Sequence, residues 1–328
     1  MDKIFYLKYI ESMITAEIKD SELLEHLGSI EKDSMSVFVM AEGAFRGALF
    51  NGTKMINQMR ANLNLGILET MILGQAALCA ALMIPTMKGR EHLIFRYDTN
   101  GPAAGFSVEA DSTGTVRGYI FQNPIPIDKP LESWDLSPFF GSGTLTVTRF
   151  NENGNEPQVG TVEIKYQNIA KDLTWYFAQS EQIHTAFNTS IQFDKQGRVI
   201  GAGGLFIQAM PKTGGKKLDG AKMEEYDDDL IDAVENAFNA APSLGQWYSE
   251  KGNNDDIIYG LFREFDPVVA LNRNIVFNCP CSEKKFTDYV RRLDKKEKAE
   301  ILAEPEPTIE VICHNCGSVY HIDKKNIK

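Results

Sequence analysis

The spacing of apolar and polar residues changes character along the 328-residue chain. Residues 36–45 (SVFVMAEGAF) and 92–101 (HLIFRYDTNG) are short runs rich in β-branched and aromatic residues that end in turn formers, which predicts strands. Residues 110–124 (ADSTGTVRGYIFQNP) predict a hairpin turning at Ser112–Gly114. Residues 143–166 predict a second hairpin, with alternating β-branched residues on both sides of an Asn/Gly loop. The run RVIGAGGLFIQAMP, residues 198–211, predicts a strand whose glycines permit close backbone approach. Helices are expected at about 65–84 and about 168–180. Because strands and helices do not alternate strictly, the pattern predicts an α+β fold, a mixed β-sheet core with packed helices, rather than a doubly wound parallel sheet.

Residues 212–274 differ. A turn-rich connector, PKTGGKKLDG, leads into short amphipathic segments in which Leu230, Val234 and Phe238 share one helical face, and Ile257, Leu261 and Phe265 another. Asp227–Asp229 suit the positive end of the first of these helices. Helices this short hold no core of their own, so their apolar faces must lie on another part of the chain. The expected organisation is an N-terminal extension over 1–34, a core domain over 35–211, an acidic helical linker over 212–274 and a small C-terminal cysteine domain over 275–328.

Charge sharpens this division. The net charge is -11, and residues 212–274 hold 7 basic against 13 acidic side chains, whereas 275–328 hold 10 and 9. An acidic chain with a near-neutral tail lacks the electrostatic footprint of a nucleic-acid binder. The apolar stretch over 65–85 is broken by Glu69 and Gln75 and reads as a buried helix rather than a membrane span. The N-terminus scatters charges among its apolar residues, unlike a secretory signal. A cytoplasmic location, with thiols kept reduced, is the expectation.

Four of the five cysteines lie in the last fifty residues, as Cys279-Pro280-Cys281 and Cys313-His314-Asn315-Cys316. Two tight cysteine pairs are the donor set of a structural zinc ion, which takes four thiolates tetrahedrally and leaves no position for a substrate. Disulfides alone are not expected in a reducing compartment. Two readings of the tetrad stand beside each other: a purely structural zinc ribbon, and a site that oxidant can open, since each pair holds two sulfurs close enough to join once the metal has left. Losing the metal removes roughly 10–16 kcal/mol of binding free energy that is also folding free energy. His314 and His321 read as neighbours of the site or surface residues.

The segments CPCSEKKF and VICHNCGSVYHID resemble the zinc switch of the redox-regulated heat-shock protein 33 chaperone family. GPAAGFSVEADSTGTVRGYIFQNP, WYFAQSEQIHTAF, GAGGLFIQAMP and DIIYGLFREFD are similar to further parts of that family, so the likeness runs from about residue 35 to the C-terminus. The resemblance implies an ATP-independent holdase, not an enzyme. In it Cys279, Cys281, Cys313 and Cys316 bind one zinc ion per chain when reduced, while the linker covers an apolar surface of the core. Oxidation converts the C-x-C and C-x-x-C pairs to disulfides, releases zinc and disorders the linker. The exposed surface then binds unfolding client proteins, and oxidised subunits form a homodimer. No nucleic-acid or membrane partner is implied. The alternative, a zinc-ribbon adaptor for nucleic acid or ribosomes, sits poorly with the acidic balance, and a thiol oxidoreductase lacks a thioredoxin-like βαβ context around Cys313 and Cys316.

Other candidates have plainer readings. Cys79, among alanines and leucines, reads as a buried small hydrophobe. Ser180-Glu181-Gln182 reads as a hydrogen-bonded turn rather than a nucleophile site. Gly201, Gly203 and Gly204 lack the Lys-Ser/Thr of a phosphate loop.

Overall fold

The computed structural model describes residues 13–127, 133–152, 156–210 and 228–327. Helix α1 (Ser21–Ser29) precedes strands β1 (Ser34–Met40) and β2 (Phe45–Asn51), followed by helices α2 (Thr53–Leu63) and α3 (Ile67–Leu82). Next come β3 (His92–Thr99), β4 (Gly105–Asp111), β5 (Thr115–Ile120), β6 (Gly143–Phe150) and β7 (Gln158–Glu163). Helix α4 (Ile169–Tyr176) leads into β8 (Thr185–Phe193) and β9 (Val199–Ala209). The remainder comprises α5 (Asp228–Asn239), α6 (Leu244–Ser249), α7 (Asn254–Leu261), β10 (Val268–Arg273) and β11 (Val276–Phe277). It ends with α8 (Glu283–Arg292), α9 (Lys295–Ala303), β12 (Thr308–Ile312) and β13 (Val319–Asp323).

The expected α+β class holds. One sheet has the order β10-β1-β2-β9-β8 and is antiparallel throughout. A second has the order β11-β5-β4-β3-β6-β7, with β11 parallel to β5 and its other neighbours antiparallel. Both expected hairpins form, β4–β5 around residues 112–114 and β6–β7 around an Asn/Gly loop whose residues 153–155 lie outside the described residues. The strand expected over 36–45 is instead two. Ala41, Glu42 and Gly43 adopt positive φ of 51°, 54° and 87°, which turns the chain between β1 and β2.

Helix α3 lies between the sheets, touching β4 and β5 on one side and β2, β8 and β9 on the other. That placement explains why its sequence is apolar on every face: fourteen of its residues, from Leu68 to Leu82, are buried. The stretch Ile67–Thr86 is long and apolar enough to cross a membrane, and almost all of it is buried in this core. Cys79 sits here wholly buried, and desolvation pushes its thiol well above the ordinary range. Helix α4 continues into a wider turn over Phe177–Glu181 that ends at Gln182, in left-handed conformation. Within it Glu181 accepts from Tyr176 at 3.0 Å and pairs with Arg149, so Ser180–Gln182 is a structural turn.

The outer face of the five-stranded sheet is covered by the chain beyond residue 227. Ile231, Val234 and Phe238 of α5, Leu244 and Tyr248 of α6, Ile257 and Ile258 of α7, and Phe262 share one apolar cluster with Phe38, Phe45, Leu49, Leu205 and Ile207 of the sheet. The helical face expected from sequence is shifted at its end. Leu261 and Phe265 are only half-buried whereas Phe262 is fully buried, because the helix stops at Leu261 and a tight turn over Arg263–Phe265 changes the spacing. Asp228 and Asp229 occupy the first turn of α5; Asp227 and the connector 211–226 lie outside the described residues.

Two features fasten this cover. Asn254, buried at the start of α7, donates to Ser36 Oγ at 3.0 Å and to the Leu49 carbonyl at 3.2 Å, and accepts from Tyr248 Oη at 2.8 Å. The glycines of β9 let α6 approach: a Cβ on Gly201 would lie 1.9 Å from the Gly245 carbonyl oxygen, and one on Gly203 would lie 2.2 Å from the Tyr248 ring. The glycines therefore serve helix–sheet contact, not phosphate binding. Beyond α7, β10 adds itself to the sheet edge beside β1. Replacing Gly201 with alanine should push α6 off β9, cost about 1–3 kcal/mol as overpacking, and speed amide exchange in α6 more than in α3; unchanged exchange in α6 would refute the contact.

Candidate metal centre

Each cysteine pair is held by its own local structure. Cys279 and Cys281 follow β11 and directly precede α8, whose first turn is capped by Ser282 accepting from the Lys285 amide. Cys313 and Cys316 form the turn between β12 and β13. There the Cys316 and Gly317 amides donate to the Cys313 carbonyl, and Cys313 N–H donates to the Ser318 carbonyl. Gly317, at φ 68°, supplies the left-handed position this turn requires. Helices α8 and α9 and strand β12 lie between the pairs and return the second onto the first.

All four sulfurs lie within 4.8 Å of one another, and all four cysteines are buried. The Cys279 and Cys313 sulfurs are 3.8 Å apart, and those of Cys281 and Cys316 are 3.3 Å apart. A tetrahedron with bonds of about 2.3 Å has edges of roughly 3.8 Å, so the tetrad is the size a zinc ion needs. The electrostatics point the same way. Hydrogen bonds from Cys313 and Cys316, and then Arg117, hold the Cys279 thiol well below its usual range. In return, the Cys313 thiol is pushed up to about 12, chiefly by Cys279, and Cys316 is raised by Cys279 and Cys313. One negative charge settles easily in this group and its neighbours resist the next. A divalent cation at the centre removes that conflict.

The surroundings supply contacts that the cysteine spacing does not reveal. Arg117 Nη1 lies 3.4 Å from Cys279 Sγ and its guanidinium also pairs with Glu109. Tyr320 Oη lies 3.2 Å from Cys281 Sγ, and Ser318 Oγ 3.2 Å from Cys316 Sγ. The Asn62 amide donates to the Cys316 carbonyl at 3.1 Å, and Gly118 N–H donates to the Asn315 carbonyl at 3.1 Å. Ser318 and Tyr320 belong to the second cysteine segment, whereas Asn62, Glu109, Arg117 and Gly118 come from α2, β4 and β5, far away in sequence, where nothing in the residue pattern ties them to the cysteines. The cysteine sulfurs thus sit at the edge of the main core rather than on a separate lobe. His314 stands at the rim, its ring 5.8 Å from that of Tyr119, and His321 is exposed on β13.

A family model described as Hsp33 protein matches residues 33–323. The chain belongs to the Hsp33 family. It is similar to the 33 kDa chaperonins of Geobacter sp. strain M21 (30% identity, covering 79% of this chain and 83% of the relative) and Agathobacter rectalis (29%, covering 88% and 96%). The crystal structure of the 33 kDa chaperonin, a heat shock protein 33 homolog, from Thermotoga maritima superposes with a TM-score of 0.77 at 25% identity, covering 90% of this chain and 97% of that one. A chaperone family with four clustered cysteines is therefore what sequence and structure agree on, as the resemblance implied. Residues 13–32 are described in the structure and precede the Hsp33 match.

The purified reduced protein should carry about one zinc per chain, and Cys281→Ser or Cys316→Ser should lose it to a chelator that leaves wild type loaded, as read by metal analysis. After chelation four thiols should react with an aromatic disulfide reagent, and Cys79 only after denaturation, because its sulfur is wholly buried.

Proposed function

We propose that this protein is an ATP-independent holdase, not an enzyme, whose client surface is opened by oxidation of Cys279, Cys281, Cys313 and Cys316. The observation that carries the reading is the continuity between tetrad and cover. A short run of chain joins Phe262 of the apolar cover, through β10 and β11, to Cys279. Residues 35–211 act as the core, 212–274 as the linker and 275–328 as the switch. In the reduced state the four thiolates hold one zinc ion, whose contribution is to cross-link the two cysteine turns.

Oxidation uses two equivalents of peroxide. Each oxidises one thiolate pair by two electrons, takes up two protons and leaves one S–S bond and two waters. We assign the bonds to Cys279–Cys281 and Cys313–Cys316, after the family resemblance. No anionic sulfur then remains to hold the metal. The loss of roughly 10–16 kcal/mol is as large as the whole net stability of a typical domain, about 5–15 kcal/mol. Away from the tetrad the switch region's own packing is small: Val290, Ile322 and Ile327 are the buried members of its separate cluster among the described residues, with half-buried neighbours such as Phe286 and Val311. Once it unfolds, β11 and β10 lose their anchor and the cover over Phe38, Phe45, Leu49, Leu205 and Ile207 loosens. That apolar face is what unfolding clients would bind, in the cytosol, with two oxidised subunits pairing. The net charge of -11 supports a protein client over a nucleic acid.

Peroxide at elevated temperature should release the zinc, consume four thiols and make the protein suppress light scattering by a heat-denatured client. Release of zinc without any suppression would overturn the reading. Phe262→Asp buries a charge in the cover and should give partial suppression without oxidant; a variant that folds yet stays as inactive as reduced wild type would show that the cover does not restrain activity.

A further inference from the structure

Ahead of the family match, residues 13–16 run across the candidate metal centre, and their main chain is bound by one backbone carbonyl and by three side chains. Met13 N–H donates to the Cys279 carbonyl at 3.1 Å. Ile14 N–H donates to Ser318 Oγ at 2.9 Å, and the Ile14 carbonyl accepts from Asn62 Nδ2 at 2.8 Å. Ala16 N–H donates to Asn62 Oδ1 at 3.1 Å, and the Ala16 carbonyl accepts from Gln58 Nε2 at 2.9 Å. Gln58 also donates to Asn62 Oδ1 at 2.7 Å, which fixes the orientation of both amides. Five main-chain groups of one four-residue stretch are satisfied, while Ile14 and Thr15 leave their side chains in solvent and Met13 alone is buried.

We propose that the Asn62–Gln58 face of α2 is a binding groove for extended polypeptide, filled in the reduced protein by the chain's own residues 13–16 as a stand-in for a client. The chemistry fits that partner. A side-chain amide that accepts from one N–H and donates to a carbonyl two residues away recognises any extended main chain, with little demand on side chains, which is what a binder of many unfolded proteins requires. One wall of the groove is the switch itself, through the Cys279 carbonyl and Ser318. On the functional reading proposed above, on which this inference rests, oxidation removes those two anchors. The strap then keeps only the Asn62 and Gln58 contacts, and a client segment competes for them on equal terms. The groove is continuous with the switch, so occupancy by strap or client follows the redox state.

The test uses the full chain. Amide exchange at Ile14 and Ala16 should be slow in the reduced, zinc-loaded protein and at least tenfold faster after peroxide; protection that survives zinc loss would overturn the proposal. Reduced, carboxymethylated α-lactalbumin serves as a permanently unfolded probe. Asn62→Leu, oxidised, should bind it roughly five- to thirtyfold more weakly than oxidised wild type, the cost of two lost hydrogen bonds. Gln58→Leu, which leaves the Asn62 bond to Cys316 intact, is the second variant should Asn62→Leu not fold. A peptide of residues 11–19 should displace the probe, and the same peptide with proline at positions 14 and 16 should do so at least fivefold less well. Equal binding by wild type and a folded variant, or equal competition by both peptides, would overturn the groove while leaving the chaperone reading in place. No probe binding by oxidised wild type would overturn that reading itself.

Discussion

Four sulfurs held within 4.8 Å of one another are the constraint around which the C-terminal part of this chain is arranged. Buried thiols at such range do not ionise independently, and the shifts of Cys279 downward and of Cys313 and Cys316 upward express that conflict. A cation resolves it and draws two turns that are more than thirty residues apart into one unit. Beyond the tetrad and its edge contact with the main core, the unit's own cluster is small, with Val290, Ile322 and Ile327 its buried members among the described residues. The proposed switch rests on the asymmetry this implies, an arrangement that a bound metal would stabilise and its loss would weaken.

The rest of the molecule is placed so that the asymmetry matters elsewhere. The five-stranded sheet is apolar on both faces. One is satisfied permanently by α3, which is enclosed between the two sheets. The other is covered by short helices that the chain supplies on its way to the cysteines. Each of these helices is too short to be stable alone, and they hold through Phe262, Tyr248 and the buried amide of Asn254. The glycines of β9 allow α6 to lie directly on the strand, a close fit that forms or separates as a whole rather than by degrees.

The metal centre is also tied to the core from outside its own segment. Arg117 reaches Cys279, Asn62 reaches the Cys316 carbonyl, and residues 13–16 bridge Cys279, Ser318 and α2. The Gly118–Asn315 contact adds a link to β5. Contacts thus leave the sulfur region in three directions: along the chain into the cover, through Arg117 into the six-stranded sheet, and into the strap. Helix α1 extends that strap over β9, where Asp20 and Glu22 pair with Arg198 and the His26 ring meets the Ile200 carbonyl at 2.6 Å.

Local chemistry was readable from the residues alone. Two cysteine pairs at ligand spacing mark a candidate metal site without reference to the fold, because the donor set and the short separations are local, and the structure brings those four sulfurs together. Hairpins announce themselves through alternation and turn residues, and α3 through an apolar run too long for a strand. Helix α2 was not readable, since its polar residues are used for contacts with distant segments rather than for a solvent face. The end of the cover was read incompletely: Leu261 and Phe265 pack against it only half-buried, while Phe262, fully buried there, was not anticipated, because a tight turn replaces the last helical one. Tertiary structure alone decided that Asn62, Arg117 and residues 13–16 meet around the four cysteines. Contacts between residues hundreds of positions apart leave no periodicity in a sequence, and they arise only when the sheets, packed around α3, bring those segments to the same edge.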